Sequence, residues 1–99
     1  MNISNPGLKA SDVRPTEIHY SGALAAGATY QPTETNAVIT HATLSVVNKL
    51  QVQDRSNRII SEALAADHGC SGPWWAERVQ FKNTDVASKT LQYSGWEWP

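Results

Sequence analysis

The sequence contains a single cysteine, Cys70, in 99 residues. One cysteine excludes an intrachain disulfide framework and any cluster of thiolate metal ligands. The chain is also too short to build two hydrophobic cores of useful size, so we predict one domain. A core this small leaves a protein marginally stable unless oligomerisation or docking onto a larger assembly stabilises it further.

The chain also lacks an excess of charge of either sign. Eight Lys and Arg are balanced by nine Asp and Glu, which gives a formal net charge of −1. Without a basic patch to neutralise phosphates, the composition argues against nucleic acid as a partner. No apolar run approaches the roughly 20 residues of a membrane span, and residues 1–6 lack the basic and apolar regions of a signal peptide. We therefore expect a soluble protein that is synthesised in the cytoplasm and has no membrane partner.

The first 17 residues show neither helical nor strand periodicity. Pro6, Gly7 and Pro15 interrupt them, which predicts an extended N-terminal arm over residues 1–17, followed by a folded domain over residues 18–99. Two interpretations of the arm stay open: a partly ordered tail, or a strap that orders against a neighbouring subunit. In the second interpretation, the partner-binding side chains of the arm are Ile3, Leu8 and Val13.

From Ile18 onward, β-branched and aromatic residues alternate with polar ones, and turn residues recur at short intervals. Roughly six or seven short strands in this pattern predict an all-β fold, either a compact antiparallel β-sandwich or a jelly-roll-like barrel. Residues 76–82 alternate with Val79 and Phe81 inward, and Gly95 inside the last strand predicts a bulge or bend.

Residues 37–47 form the longest candidate strand. Strict alternation predicts that one side of it is buried. The residues assigned to that buried side are Val38, Thr40, Ala42, Leu44 and Val46.

Residues 18–48 contain only one formally charged residue, Glu34. So little charge favours strands that are covered on both sides, by the second sheet of the domain and by a partner. A face rich in Ser and Thr that is exposed to water is the alternative interpretation.

Tryptophan is abundant, with four in the chain. Trp74 and Trp75 follow a predicted loop, Asp67–Pro73, and the other two precede the terminal proline. Large aromatic side chains are either core residues or the anchors of interfaces, and we predict that Trp74 and Trp75 bind a partner. Exposed rings would favour binding of a receptor or carbohydrate, and buried rings would favour attachment to a protein shell.

The segment His68–Gly72 is the one place where an imidazole, a thiol and glycines lie together. A thiol nucleophile needs a base that a third group orients, and a histidine two residues away on the same loop is badly placed for that role. His19, His41 and His68 have no spacing that would place two metal ligands on one local element. We therefore predict a protein without enzymatic activity, cofactor or metal.

Three segments, residues 21–30, 77–83 and 90–98, resemble small β-sandwich virion proteins of tailed bacteriophages. This group includes capsid decoration or cement proteins and accessory modules of head fibres and tails. The likeness extends over roughly residues 21–99. It is a general resemblance of these segments and includes no diagnostic motif.

The resemblance implies a structural virion protein that binds and stabilises the outer surface of a phage capsid. It implies a homotrimer or another symmetric oligomer, with the major capsid protein or another virion protein as partner and an N-terminal arm that reaches over neighbouring subunits. The alternative that it implies is a receptor- or carbohydrate-binding module of a head fibre or tail.

Overall fold

A computed structural model describes residues 14–46, 49–63 and 69–99. Within these ranges the chain forms eight β-strands. Their bounds are β1 Thr16–Leu24, β2 Thr29–Tyr30, β3 Ala37–Leu44, β4 Leu50–Asp54, β5 Ile59–Glu62, β6 Cys70–Trp75, β7 Val79–Asn83 and β8 Lys89–Glu97. The described residues include no helix with the length and apolar character of a membrane span.

The strands pair into two antiparallel sheets of four strands each. The first sheet has the order β1-β8-β3-β6, and the second has the order β2-β7-β4-β5. Both sheets contribute to one hydrophobic core, which confirms the predicted all-β sandwich. Its largest fully buried apolar side chains are Ile39, Leu44, Leu50, Val52, Phe81 and Leu91.

The predicted orientation of the seventh strand is confirmed. Val79 and Phe81 both lie in the core, as the alternation in residues 76–82 indicates. The strand itself is shorter than that segment, because Ala76–Arg78 forms a 3-10 turn that precedes β7.

Strand β3 contains a β-bulge at Thr40. Ile39 is opposite Gly95 on β8, whereas His41 is opposite Ser94. Two steps along β3 therefore match one step along β8, and Thr40 is the additional residue. The irregularity predicted at Gly95 thus lies on the neighbouring strand, directly across from it.

The bulge changes which residues of β3 face the core. Ala37 is buried before it, and Ala42 and Leu44 are buried after it, whereas Val38 is half-buried and Thr40 is exposed. The prediction that Val38 and Thr40 share the buried side of Ala42 was wrong, because one inserted residue inverts the alternation.

The segment predicted to be a loop before the tryptophan pair is partly a strand. Its last residues belong to β6, which begins at Cys70 and pairs with β3, and the Gly72–Pro73 peptide is cis. Residues 64–68 lie outside the described residues, and His68 is among them.

Strand β1 begins at Thr16. The last two residues of the predicted arm, Thr16 and Glu17, are therefore part of the first sheet. Residues 1–13 lie outside the described ranges, and so do the arm residues predicted to bind a partner, Ile3, Leu8 and Val13.

Candidate ligand-binding face

The outer face of the first sheet follows from the alternation in its central strand, β8. Leu91 and Tyr93 point into the core, so the residues between and beyond them point outward. These outward residues are Gln92, Ser94 and Trp96. The strand register then places outward residues of β1 and β3 on either side of them.

One line of side chains across this face is apolar. Trp96 on β8 is paired with Val38 on β3, which is paired in turn with Trp75 on β6. Trp96 is 40% exposed and Trp75 is 51% exposed. We call Trp96, Val38 and Trp75 the tryptophan row, and it gives this sheet an aromatic surface in contact with solvent.

Trp98 extends the exposed aromatic surface beyond the end of β8. Its side chain is 36% exposed, and its backbone N–H donates to the carbonyl oxygen of Asn36 at 3.0 Å. The Asn36 side-chain amide donates in return to the carbonyl oxygen of Trp98 at 3.3 Å. These two bonds hold the C-terminal segment against the chain that enters β3.

Trp74 and Trp75 are adjacent in sequence but lie on opposite sides of the sheet. Trp74 is only 9% exposed, and its ring meets the Phe81 ring edge-on, with centroids 6.2 Å apart and planes at 73°. Of the two tryptophans predicted to bind a partner, Trp74 lies in the core and Trp75 on the surface, because neighbouring residues of a strand point to opposite faces.

A groove of about 420 Å³ lies on the same outer face, next to the tryptophan row. Its lining comes from β1, β3 and β8, and most of it consists of outward polar side chains. Those side chains are His19, Ser21, His41, Thr43, Gln92 and Ser94. We call the space lined by these residues the groove.

Several side chains in and beside the groove are held by hydrogen bonds. The Gln92 amide donates to the Ser21 hydroxyl at 3.5 Å. The Nδ1 atom of His41 lies 3.4 Å from the hydroxyl of Ser71. At the outer edge, Nε2 of His19 lies 3.0 Å from a carboxylate oxygen of Glu17, where both side chains are well exposed. The groove is therefore rich in groups that donate and accept hydrogen bonds.

The groove carries little charge. None of the residues that line it is Lys, Arg, Asp or Glu, and Glu17 at its edge is the nearest formal charge on β1. It offers no fixed cation for a phosphate or a carboxylate.

A cluster of tyrosines lies beneath the groove. Tyr20 stacks on Tyr93 with ring centroids 4.8 Å apart and on Tyr30 with centroids 4.7 Å apart. The Tyr93 hydroxyl donates to a carboxylate oxygen of Glu34 at 2.6 Å. Burial, together with this bond to Glu34, raises the pKa of Tyr93 far above its ordinary value. These rings lie on the inner side of the first sheet, opposite the groove, and they join the two sheets.

Of the residues considered for catalysis or metal binding, the described ones are Cys70, His19 and His41. Cys70 is buried in β6, and its sequence neighbour His68 lies outside the described residues. Among the residues that the structure describes, no three His, Cys, Asp or Glu side chains are grouped to hold a metal ion.

Together these features define an antiparallel β-sandwich with a hydrogen-bonding groove and exposed tryptophans on one sheet face. No known protein family, no curated protein and no solved structure matches the chain. The face itself must therefore supply the functional argument.

The groove is not recognisable in the sequence. Its residues come from three strands that are distant in the chain, and only the order β1-β8-β3 brings them together. The available signal was the alternation of Gln92, Ser94 and Trp96 with the buried Leu91 and Tyr93, which marks a polar and aromatic outer side of β8.

Proposed function

We propose that this protein is a structural virion protein of a tailed bacteriophage that binds and stabilises the outer surface of the capsid. The observation that carries the proposal is the exposed aromatic surface of the first sheet, where Trp75, Trp96 and Trp98 are each more than a third exposed. Exposed tryptophans grouped on one face are typical anchors of protein interfaces. The predicted pair itself divides between the two expectations, since the buried Trp74 favours attachment to a shell and the exposed Trp75 favours a receptor or carbohydrate. The resemblance of residues 21–99 to phage β-sandwich proteins supports the assignment to a phage virion.

In this proposal the tryptophan row faces the major capsid protein. The row is flanked by Glu17 on β1, and β3, which carries Val38, has no formally charged residue. An interface of this kind needs little desolvation of charge. The proposal includes a homotrimer, since small decoration proteins form symmetric clusters and a symmetric oligomer would present several such rows together.

The test is binding to capsids that lack the protein. A Trp75→Ser/Trp96→Ser variant should sediment with such particles about tenfold more weakly than the unaltered protein, because both anchors of the row are removed. Ile60→Ser is the matched control, since Ile60 is a 48% exposed apolar residue on the edge strand of the other sheet. Equal binding of all three proteins would contradict the proposal, and sedimentation without particles would report the oligomeric state.

A second candidate function is supported by the groove. A receptor- or carbohydrate-binding module of a head fibre or tail needs hydrogen-bonding groups beside an aromatic surface, and the groove adjoins the tryptophan row. Labelling of intact particles with an antibody against the protein distinguishes a location on the capsid surface from a location on a head fibre or tail. Label over the whole head supports decoration, whereas label confined to a fibre or tail tip supports the module.

A further inference from the structure

We infer that the groove and the tryptophan row together bind a neutral glycan. This inference rests on the second candidate function and assigns its ligand class and its residues. The ligand is a chain of pyranose sugars without phosphate, sulfate or carboxylate groups.

The dimensions of the groove fit a short stretch of such a chain. Its volume of about 420 Å³ lies within the roughly 300–1,000 Å³ that is usual for sites of small organic ligands. The groove lies on a sheet surface, so a polysaccharide can pass across it without having to thread an end into the protein.

The polar groups of the groove match the hydroxyl groups of a sugar. The hydroxyls of Ser21, Thr43 and Ser94 and the amide of Gln92 can each both donate and accept a hydrogen bond. Sugar hydroxyls have the same dual character, so these groups can pair with a ligand that presents many hydroxyls in fixed directions. A peptide or a lipid does not present such an array.

The tryptophan row supplies the apolar half of the recognition. A pyranose ring has one face of C–H groups, and this face packs against the flat surface of an aromatic ring. Trp96 is two residues from Ser94 on the same outward side of β8, a distance of roughly 7 Å along a strand. One sugar can therefore hydrogen-bond in the groove while its neighbour in the chain stacks on Trp96.

The charge of the site selects neutral glycans. The groove lining includes neither Lys nor Arg, and Glu17 lies beside Trp96 in the strand register. An acidic glycan would meet this carboxylate without a compensating cation.

The experiment uses the full chain on an array of neutral and acidic oligosaccharides, including bacterial surface polysaccharides. Any neutral glycan that binds is then used in titrations followed by tryptophan fluorescence. Gln92→Ala and Trp96→Ala should each weaken binding about tenfold, since each removes one of the two kinds of contact. The control is Gln51→Ala, a glutamine on the outer face of the second sheet, and it should bind like the unaltered protein.

Three outcomes overturn the inference: binding to acidic glycans alone, binding to no neutral glycan, or neutral binding that Gln92→Ala leaves unchanged. Circular dichroism and melting temperatures of each variant identify any loss of binding that is due to unfolding, and Gln92→Glu, which keeps the size of the side chain, replaces a variant that fails to fold. Capsid sedimentation of the same proteins is read separately. Binding to capsids without binding to any glycan would support the decoration function and would refute the glycan site. Binding to a glycan without binding to capsids would support the glycan site and would refute the decoration function.

Discussion

Gly95 lies where the backbone of β3 is in close contact with β8. A Cβ atom at this position would collide with the carbonyl oxygen of Val38 and would lie 2.8 Å from the Cα of Ile39. The close approach occurs beside the bulge at Thr40, since Gly95 is opposite Ile39. Glycine is therefore required at this position, because no space is left for a side chain, whereas all the other residues of β8 carry one.

Gly95→Ala should lower the free energy of unfolding by about 1–3 kcal/mol or more, because the backbone of β3 must move to make room for a methyl group. Ser94→Ala is the control on the same strand, and its outward side chain predicts a change of about 0.5 kcal/mol or less. Urea denaturation of both variants measures the difference. Equal midpoints would mean that β3 and β8 are not in contact as described.

Phe81 is the largest fully buried side chain of the core. It stacks on Tyr93 at 5.4 Å and meets Trp74 edge-on, so this residue of the second sheet contacts two aromatic residues of the first. Phe81→Ala should destabilise the protein by about 3–5 kcal/mol through lost burial and the cavity that remains. Val86→Ala, at a residue that is 95% exposed, should change the stability by about 0.5 kcal/mol or less. Thermal melts that leave the Phe81→Ala midpoint in place would contradict the inward assignment.

At the scale of a single element, the hairpin of β4 and β5 is held by the side chain of Asp54. One carboxylate oxygen accepts hydrogen bonds from the backbone N–H groups of Ser56 at 2.9 Å and Arg58 at 3.0 Å. The other accepts from the Arg58 guanidinium at 3.0 Å. The bond from the Arg58 backbone is the main reason that the pKa of Asp54 lies below its ordinary value of 3.8.

A lowered pKa makes the stability contribution of Asp54 depend on pH. The contribution is complete above the unfolded value of 3.8 and is lost as the pH falls through the lower folded value, where the carboxylate is protonated. Asp54→Ala should therefore melt at a lower temperature than the unaltered protein at pH 7, and the difference should shrink in acid. Ser56→Ala is the control, since Ser56 contributes its backbone N–H to this bond. If the difference in melting temperature is constant from pH 7 to strong acid, the charge of Asp54 does not contribute to stability.

This hairpin could be predicted from the sequence, whereas the faces of β3 could not. The turn residues Asp54–Asn57 separate a segment that carries Leu50 and Val52 from one that carries Ile59 and Ile60, and their hydrogen bonds are local. The alternation in β3 changes at a bulge opposite Gly95, which is far away in the chain and becomes a neighbour only in the folded sheet. The groove could not be predicted from the sequence for the same reason, since it depends on the order of β1, β8 and β3.

At the scale of the whole molecule, the two sheets are joined by the tyrosine cluster. Tyr20 and Tyr93 belong to the first sheet and Tyr30 to the second, and the three rings contact one another. Burial raises the pKa of Tyr20 as well as that of Tyr93. Both hydroxyls therefore keep their protons in the folded protein at pH values where they would ionise in the unfolded chain.

The cluster predicts a loss of stability in alkali. Below the ordinary tyrosine value of 10.0 both states hold the proton, and above it the unfolded chain releases the proton more readily than the folded protein does. The free energy of unfolding should thus fall as the pH rises above about 10. Tyr93→Phe should reduce this slope, and the residual slope should come from Tyr20. A melting temperature independent of pH between 9 and about 11 would contradict this role.

Deletion of residues 1–15 should leave the sandwich folded, because every described strand begins at or after Thr16. In the strap interpretation, capsid sedimentation of the truncated protein should weaken about tenfold or more, while its circular dichroism and melting temperature match those of the full chain. Equal capsid binding would support the tail interpretation. Unfolding of the truncated protein would instead mean that the arm belongs to the domain.

The bulge at Thr40 also sets the phase of the second half of β3. If Thr40 were paired regularly, without a bulge, His41 and Thr43 would turn toward the core, and Ala42 and Leu44 would turn toward solvent. Deletion of the Thr40 codon would instead join Ile39 directly to His41, and both residues would keep their partners Gly95 and Ser94 on β8. The loss of this one residue should therefore leave His41 in the groove and Leu44 in the core.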